Sequence, residues 1–479
     1  MLFCFFSGFR VTARNDRSVG GGMTITCVDG THLRRYTIMN MKFGDKAIFK
    51  ITDIDKKGRG CGTVGTRKVC VPFAVPGEEV EARMVARKQG VVRMEIDRVI
   101  TPSPARVTPR CPYAGRCGGC AWQQFDYALQ LEMKRSLVNK SLASCTSDAT
   151  IDAVIPSPSL YYYRNRMDYG IGPNGELGLK EPGRWNAYVD LDTCYLLSPE
   201  SVEVMRIFRT YLREENLEPW NVRTHTGYAR YLVIREGKNS GTRMVMIVTS
   251  TGALPNREQL IKSLQPFATT IYHGINPTIT DLSIASELEL LHGAPLLEER
   301  VDGKTFQIPV NSFFQTNTEM AGRLIATARE FLADRPPETL LDLYCGVGLF
   351  GICLASSAKK IIGVELDADA ITLARANAAA NGVTNATFIA AKAEDLLWRG
   401  EQADTVIIDP PRAGLHPKVA ETLLTLAPER ILYVSCNHES FARDFAALGK
   451  KYRITKSAAL DLFPHSPHVE LITLLEKVP

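Results

Sequence analysis

From residue 42 the chain alternates apolar and polar positions in short runs. They are Ala47-Ile48-Phe49-Lys50-Ile51-Thr52, Lys68-Val69-Cys70-Val71-Pro72-Phe73, Val80-Glu81-Ala82-Arg83-Met84-Val85 and Gly90-Val91-Val92-Arg93-Met94-Glu95. A period of two is that of a half-buried strand. Lys57-Gly58-Arg59-Gly60 and Pro76-Gly77-Glu78 punctuate the runs as turns. The pattern predicts a small β-barrel over 42–104, closed by the linker Thr101-Pro102-Ser103-Pro104. Residues 105–310 are mixed α+β: Tyr127 to Ser144 has a helical period, whereas Tyr231–Arg235 and Met244–Val248 read as strands. The rhythm changes again in 311–479. A helical stretch, Glu319 to Leu332, precedes four short apolar runs, Thr339–Tyr344, Lys360–Glu365, Thr405–Asp409 and Ile431–Ser435, with helical patterns such as Ala368–Asn381 between them. Strands alternating with helices predict a Rossmann-like, doubly wound parallel sheet. The fold class expected is therefore multidomain α/β. Residues 1–41 lack periodicity and read as a disordered leader or an over-extended start, with Met23, Met39 and Met41 as candidate initiators.

A chain of 479 residues exceeds one hydrophobic core, in keeping with two or three domains. Its net charge of +5 is unevenly spread: Lys42 to Arg110 holds 15 Lys/Arg against 8 Asp/Glu. Such a local excess suits a polyanion contact as well as a solvated face. No run of about 18 apolar residues exists, so no membrane span is expected. The apolar start MLFCFFSGFR is too short for a secretory signal. Twelve cysteines without such a signal point to a reducing, cytoplasmic setting, with thiols used for metal or catalysis rather than disulfides. No obligate protein partner is inferred.

The first apolar run of the C-terminal region enters Asp342-Leu343-Tyr344-Cys345-Gly346-Val347-Gly348-Leu349-Phe350-Gly351. Glycines after a first strand let backbone approach a ligand. Asp342 inside the strand and Glu365 at the end of the next turn the reading from a dinucleotide to S-adenosylmethionine, a cation without pyrophosphate that gains from acids. Asp409-Pro410-Pro411-Arg412-Ala413-Gly414 leaves the same edge of the sheet. Cys436 ends the next run, and Glu470 enters a final one after Phe463-Pro464-His465-Ser466-Pro467-His468-Val469. A thiol and a carboxylate beside an adenosyl cofactor suggest methylation of a pyrimidine C5. A thiolate adding to C6 makes C5 nucleophilic, and a base then removes the C5 proton. Cys345 and Cys353 read as packing residues.

The motifs DLYCGVG, DPPRAG, VSCN followed by Ala442-Arg443-Asp444, and FPHSPHVE together resemble the RNA 5-methyluridine methyltransferases, over about residues 42–479. So does Asn311-Ser312-Phe313-Phe314-Gln315-Thr316-Asn317. The resemblance implies that Gln315, Tyr344, Glu365 and Asp409 contact S-adenosylmethionine, with Cys436 as nucleophile and Glu470 as general base. It departs at His438, where the family usually has proline.

Cys111, Cys117 and Cys120 form a C-x5-C-x2-C cluster. Sites of this kind want a fourth sulfur, and spacing alone leaves zinc and [4Fe–4S] both open, as it leaves Cys61, Cys70, Cys145 and Cys194. The family resemblance implies Cys194 and a [4Fe–4S] cluster of structural or RNA-positioning role. It also implies that the 42–104 barrel is a TRAM domain, which binds RNA, and that Arg164 and Arg166 grip phosphates. Carrying both barrel and cluster points to the branch that methylates a uridine of 23S ribosomal RNA. A tRNA uracil-5-methyltransferase is the enzymatic alternative; a cytosine-5 methyltransferase would carry Pro-Cys where Pro410-Pro411-Arg412 stands. A non-catalytic RNA-binding protein on the same scaffold is the alternative of another class.

Overall fold

The computed structural model describes residues 41–88, 91–395, 397–400 and 402–478. The leader expected over 1–41 lies, but for Met41, outside them. The alternating runs form strands, but hydrogen bonding divides them between two antiparallel sheets rather than one closed barrel. Lys46–Lys50, Glu79–Lys88 and Val91–Thr101 make one, and Asp53–Ile54, Gly60–Val64 and Arg67–Val71 the other. The chain crosses between them at a bend where Ile51 N donates to Glu78 O (2.7 Å) and Thr52 N to Cys61 O (2.8 Å). Such corners let two sheets share one core, here Phe49, Ile51, Val71, Val80 and Met94. Residues 121–126 return to this unit: Trp122 donates its indole N–H to Gly58 O at 2.8 Å and stacks on Phe125. Cys61 and Cys70 face each other across the Gly60–Val64/Arg67–Val71 hairpin and form a disulfide. This corrects the expectation that the thiols avoid disulfides, and it removes both residues as metal ligands.

The expected divisions 42–104, 105–310 and 311–479 are drawn differently by packing. Among the described residues, 41–109 with 121–126 form one compact unit, and 110–120 with those from 127 to 478 the other. Within the second, seven strands pair in the order Tyr188–Asp190, Leu177–Lys180, Arg166–Ile171, Ala229–Glu236, Arg243–Thr249, Thr270–Ile275 and Glu287–Gly293. Leu232, Ile234, Val245, Ile247 and Ile271 face one core together with the helices Pro199–Glu214 and Arg257–Leu264. Alternate residues Val233, Met244, Met246, Val248 and Tyr272 enter a second core with Phe314, Leu324, Leu340 and Ile407. Burial on both faces is why these strands read as continuous apolar runs.

The C-terminal sheet runs Ala386–Ala390, Lys360–Glu365, Thr339–Leu343, Thr405–Ile408, Arg430–Ser435, Glu470–Lys477, Tyr452–Leu460. The first five are parallel and Glu470–Lys477 is antiparallel to both neighbours. An eighth strand, Val154–Ile155, joins from the central region, and the helix Tyr127–Leu142 packs Val138 and Leu142 into the same core.

Candidate active site

Strand order reverses beside Thr339–Leu343, and there the acids gather. Asp342 is fully buried; its Oδ2 accepts from Gly351 N at 3.0 Å, while Oδ1 has no partner among the described residues. Burial, with Asp409 and Glu365 nearby, pushes its carboxyl up to about 8. Tyr344 (φ 66°) and Gly348 (φ 91°) turn the backbone left-handed, conformations that cost a non-glycine residue and are held where a ligand needs them. Glu365 accepts Gly346 N (3.2 Å) and Asp367 N (3.1 Å), tying the loop to the second strand. Asp409 accepts from Gln315 Nε2 at 3.1 Å, and burial raises it to about 7. Gln315 is held in turn by Asn165, whose Nδ2 donates to its backbone O at 2.8 Å. The structure thus brings Gln315, Tyr344, Glu365 and Asp409 to one edge. Buried acids, a free carboxyl oxygen and a glycine turn fit a cationic adenosyl cofactor.

Continuing the antiparallel register beyond the Ser435–Leu471 pair sets Cys436 opposite Glu470. Burial, with Glu470 and Asp409 adjacent, holds the Cys436 thiol up at about 12, and Arg412 opposes this. Glu470 is buried with Oε1 unpartnered among the described residues; burial and Asp409 keep it well above the usual carboxylate range, again opposed by Arg412. Arg412, which the sequence reading gives no role, donates to His468 Nδ1 at 3.2 Å, and its carbonyl accepts from Asn437 and Ser440. Its charge beside a Pro-Pro turn was the signal. Asp444 pins the same loop by accepting Leu415 N and Tyr433 OH, both at 2.7 Å. His438 begins the helix His438–Leu448 and bonds Ser141 Oγ through Nδ1 at 2.7 Å, occupying proline's usual place without disturbing the Asn437 cap.

The cysteine loop is packed by its glycines: a Cβ on Gly118 would meet Lys180 O at 2.6 Å. Tyr113 OH accepts from Asp192 N (3.0 Å) and bonds its carboxylate (3.2 Å), drawing the Cys194 loop onto the cluster. Burial and the neighbouring Cys194 and Cys111 push the Cys117 thiol up to about 12. Cys145 lies elsewhere, bonded to Leu142 O at the end of its helix. Four sulfurs each about 2.3 Å from one zinc would stand less than about 4 Å apart. Among the described residues no three of these thiols lie within 4.8 Å of one another. Of the two arginines expected on phosphate, Arg166 bonds Asp168 (2.9 Å) and Val310 O (3.3 Å). Arg164 stands over the Phe463 ring at 6.0 Å.

The family profile described as tRNA (Uracil-5-)-methyltransferase matches residues 297–478. The chain is 38% identical over 449 residues to a protein of Caldanaerobacter subterraneus subsp. tengcongensis described as an uncharacterized RNA methyltransferase, covering 91% of this chain and all of that one. It is 39% identical over 417 residues to the tRNA (uracil(54)-C(5))-methyltransferase of Pyrococcus horikoshii, covering 87% and 97%. The crystal structure of the Pyrococcus abyssi tRNA (uracil-54, C5)-methyltransferase in complex with S-adenosyl-L-homocysteine superposes with a TM-score of 0.75 at 34% identity, over 89% of this chain and 99% of that one.

Proposed function

The chain belongs to the RNA uracil-C5 methyltransferase family and uses S-adenosylmethionine, and on that premise we propose that its substrate is transfer RNA, methylated at uridine 54. The observation that carries this is near full-length similarity to relatives named for that nucleotide. They favour transfer RNA over 23S ribosomal RNA, the substrate that the cysteine cluster and the N-terminal strands suggest. Gln315, Tyr344, Glu365 and Asp409 hold the cofactor, which when bound supplies an electrophilic methyl group. Cys436 Sγ, once its proton is lost to solvent, bonds C6 of the uridine; the electron pair of the C5–C6 double bond moves to C5 and takes the methyl, leaving S-adenosylhomocysteine. Glu470 then accepts the C5 proton, the C5–C6 double bond re-forms and the C6–S bond breaks. The target base must leave its stack to reach the thiol. Cys111, Cys117, Cys120 and Cys194 hold a [4Fe–4S] cluster; the closeness of Cys111 and Cys194 to Cys117 supports one shared centre.

The test is a covalent trap. Fluorine at C5 cannot leave as a proton, so tRNA containing 5-fluorouridine should give a denaturant-resistant adduct that Cys436→Ala abolishes. Mapping the adduct to uridine 54 is expected. An adduct with ribosomal RNA and none with tRNA would return the substrate to the ribosome.

A further inference from the structure

One face of the helix Tyr127–Leu142 is polar and buried, and the chemistry described so far makes no use of it. Tyr127, Gln130 and Lys134 follow one another at i, i+3 and i+7, the spacing of a single helical face. All three are spent on the segment Asp461–Val469 that leads into Glu470. Lys134 and Asp461, both fully buried, form an ion pair, and Lys134 Nζ also donates to Phe463 O at 3.0 Å. The other Asp461 oxygen accepts Tyr127 OH at 2.9 Å. Gln130 brackets His465: its Oε1 accepts His465 N at 2.8 Å, and its Nε2 lies 3.2 Å from His465 Nδ1. His465 needs holding, because its backbone is left-handed (φ 64°). Tyr163 OH fixes the next carbonyl back, Pro464 O, at 3.0 Å.

A buried ion pair is a poor means of gaining stability and a good one of fixing geometry. Here it fixes the only covalent approach to Glu470 from its N-terminal side, along which His468 also meets Arg412. We propose that Lys134, with Asp461, Tyr127 and Gln130, is a positioning device for the general base, setting Glu470 for the second half of the reaction. The inference rests on the reading of Cys436 as nucleophile and Glu470 as base. Cys436 sits on a different strand, Arg430–Ser435 and its exit; this helix reaches that side only at its far end, through Ser141 on His438, so changes at Tyr127 and Lys134 should leave the first half, addition and methyl transfer, largely intact.

The two halves are separable in single turnover with ordinary uridine tRNA and methyl-labelled S-adenosylmethionine. Labelled RNA still bonded to protein after denaturation reports addition and transfer; free 5-methyluridine reports elimination. Lys134→Met paired with Asp461→Asn, which leaves no lone buried charge, should form labelled adduct within about tenfold of the parent rate. Release should slow on the order of a hundredfold, the effect of an ångström-scale misplacement. Tyr127→Phe, which keeps volume and leaves the Lys134–Asp461 pair in place, should show the same split in smaller degree, and carries the test if the paired variant does not fold. Equal loss of both steps, or no change in either, would overturn the proposal, provided Glu470→Gln accumulates labelled adduct. If Glu470→Gln itself accumulates none, the assignment of the base has failed and this inference falls with it.

Discussion

Two carboxyls at the cofactor edge are poised to give up protons. Asp409, raised to about 7, and Asp342, raised to about 8, are both held neutral chiefly by burial. A sulfonium placed beside them favours their charged forms, so cofactor binding should release protons near pH 6.5 and tighten as pH rises, levelling off above about pH 8. Calorimetry in buffers of different ionisation enthalpy would measure the release. S-adenosylhomocysteine, without the sulfonium charge, should release fewer. Asp342 also carries a stability signature. Its folded-state value lies above the unfolded one, so the unfolded chain ionises first and stability falls as pH rises from about 4 to about 8, by about 1.4 kcal/mol per pH unit. Asp342→Asn should flatten that slope in urea melts, and an unchanged slope would place the origin elsewhere. At this scale the placement of Cys436, Glu470, Asp409 and Glu365 was legible, because each stands where an apolar run meets a polar residue. The bond of Arg166 to Asp168 was not legible, because a surface arginine and one bonded to a carboxylate look alike in sequence.

Elements were readable when their own period declared them and unreadable when a distant partner did. Thr339–Leu343 and Lys360–Glu365 lie where the apolar runs placed them. Val154–Ile155 could not be foreseen as an eighth strand, since two residues carry no period and their pairing with Ala459-Leu460 spans some three hundred positions. The helix Thr318–Leu332 was foreseen from its pattern, and its start depends on a cap. Asn317 accepts Met320 N at 3.2 Å and donates to Leu462 O at 3.2 Å, joining helix entry to the base loop. Asn317→Ala should cost about 1–2 kcal/mol by chemical denaturation, more than a solvent-exposed cap would.

For the molecule as a whole, two compact units should melt as two. The disulfide Cys61–Cys70 spans nine positions of the N-terminal unit, and closing so short a loop stabilises by about 2–3 kcal/mol. Adding reductant should lower one calorimetric transition and leave the other in place; a shift of both, or of neither, would contradict that division. The pairing was hidden in the sequence because a cross-strand register, not a cysteine spacing, decides it.

The seven-stranded central sheet has a mechanical consequence. A sheet that gives alternate residues of the same strands to two cores cannot swing as a hinge between them, because any rotation would open both at once. The two cores that this sheet joins therefore keep a fixed distance. Bringing a uridine to the thiol falls to the nucleic acid, which must unfold locally to fit an unyielding mould. The energy of that distortion, differing from one RNA to another, is then a source of selectivity in its own right.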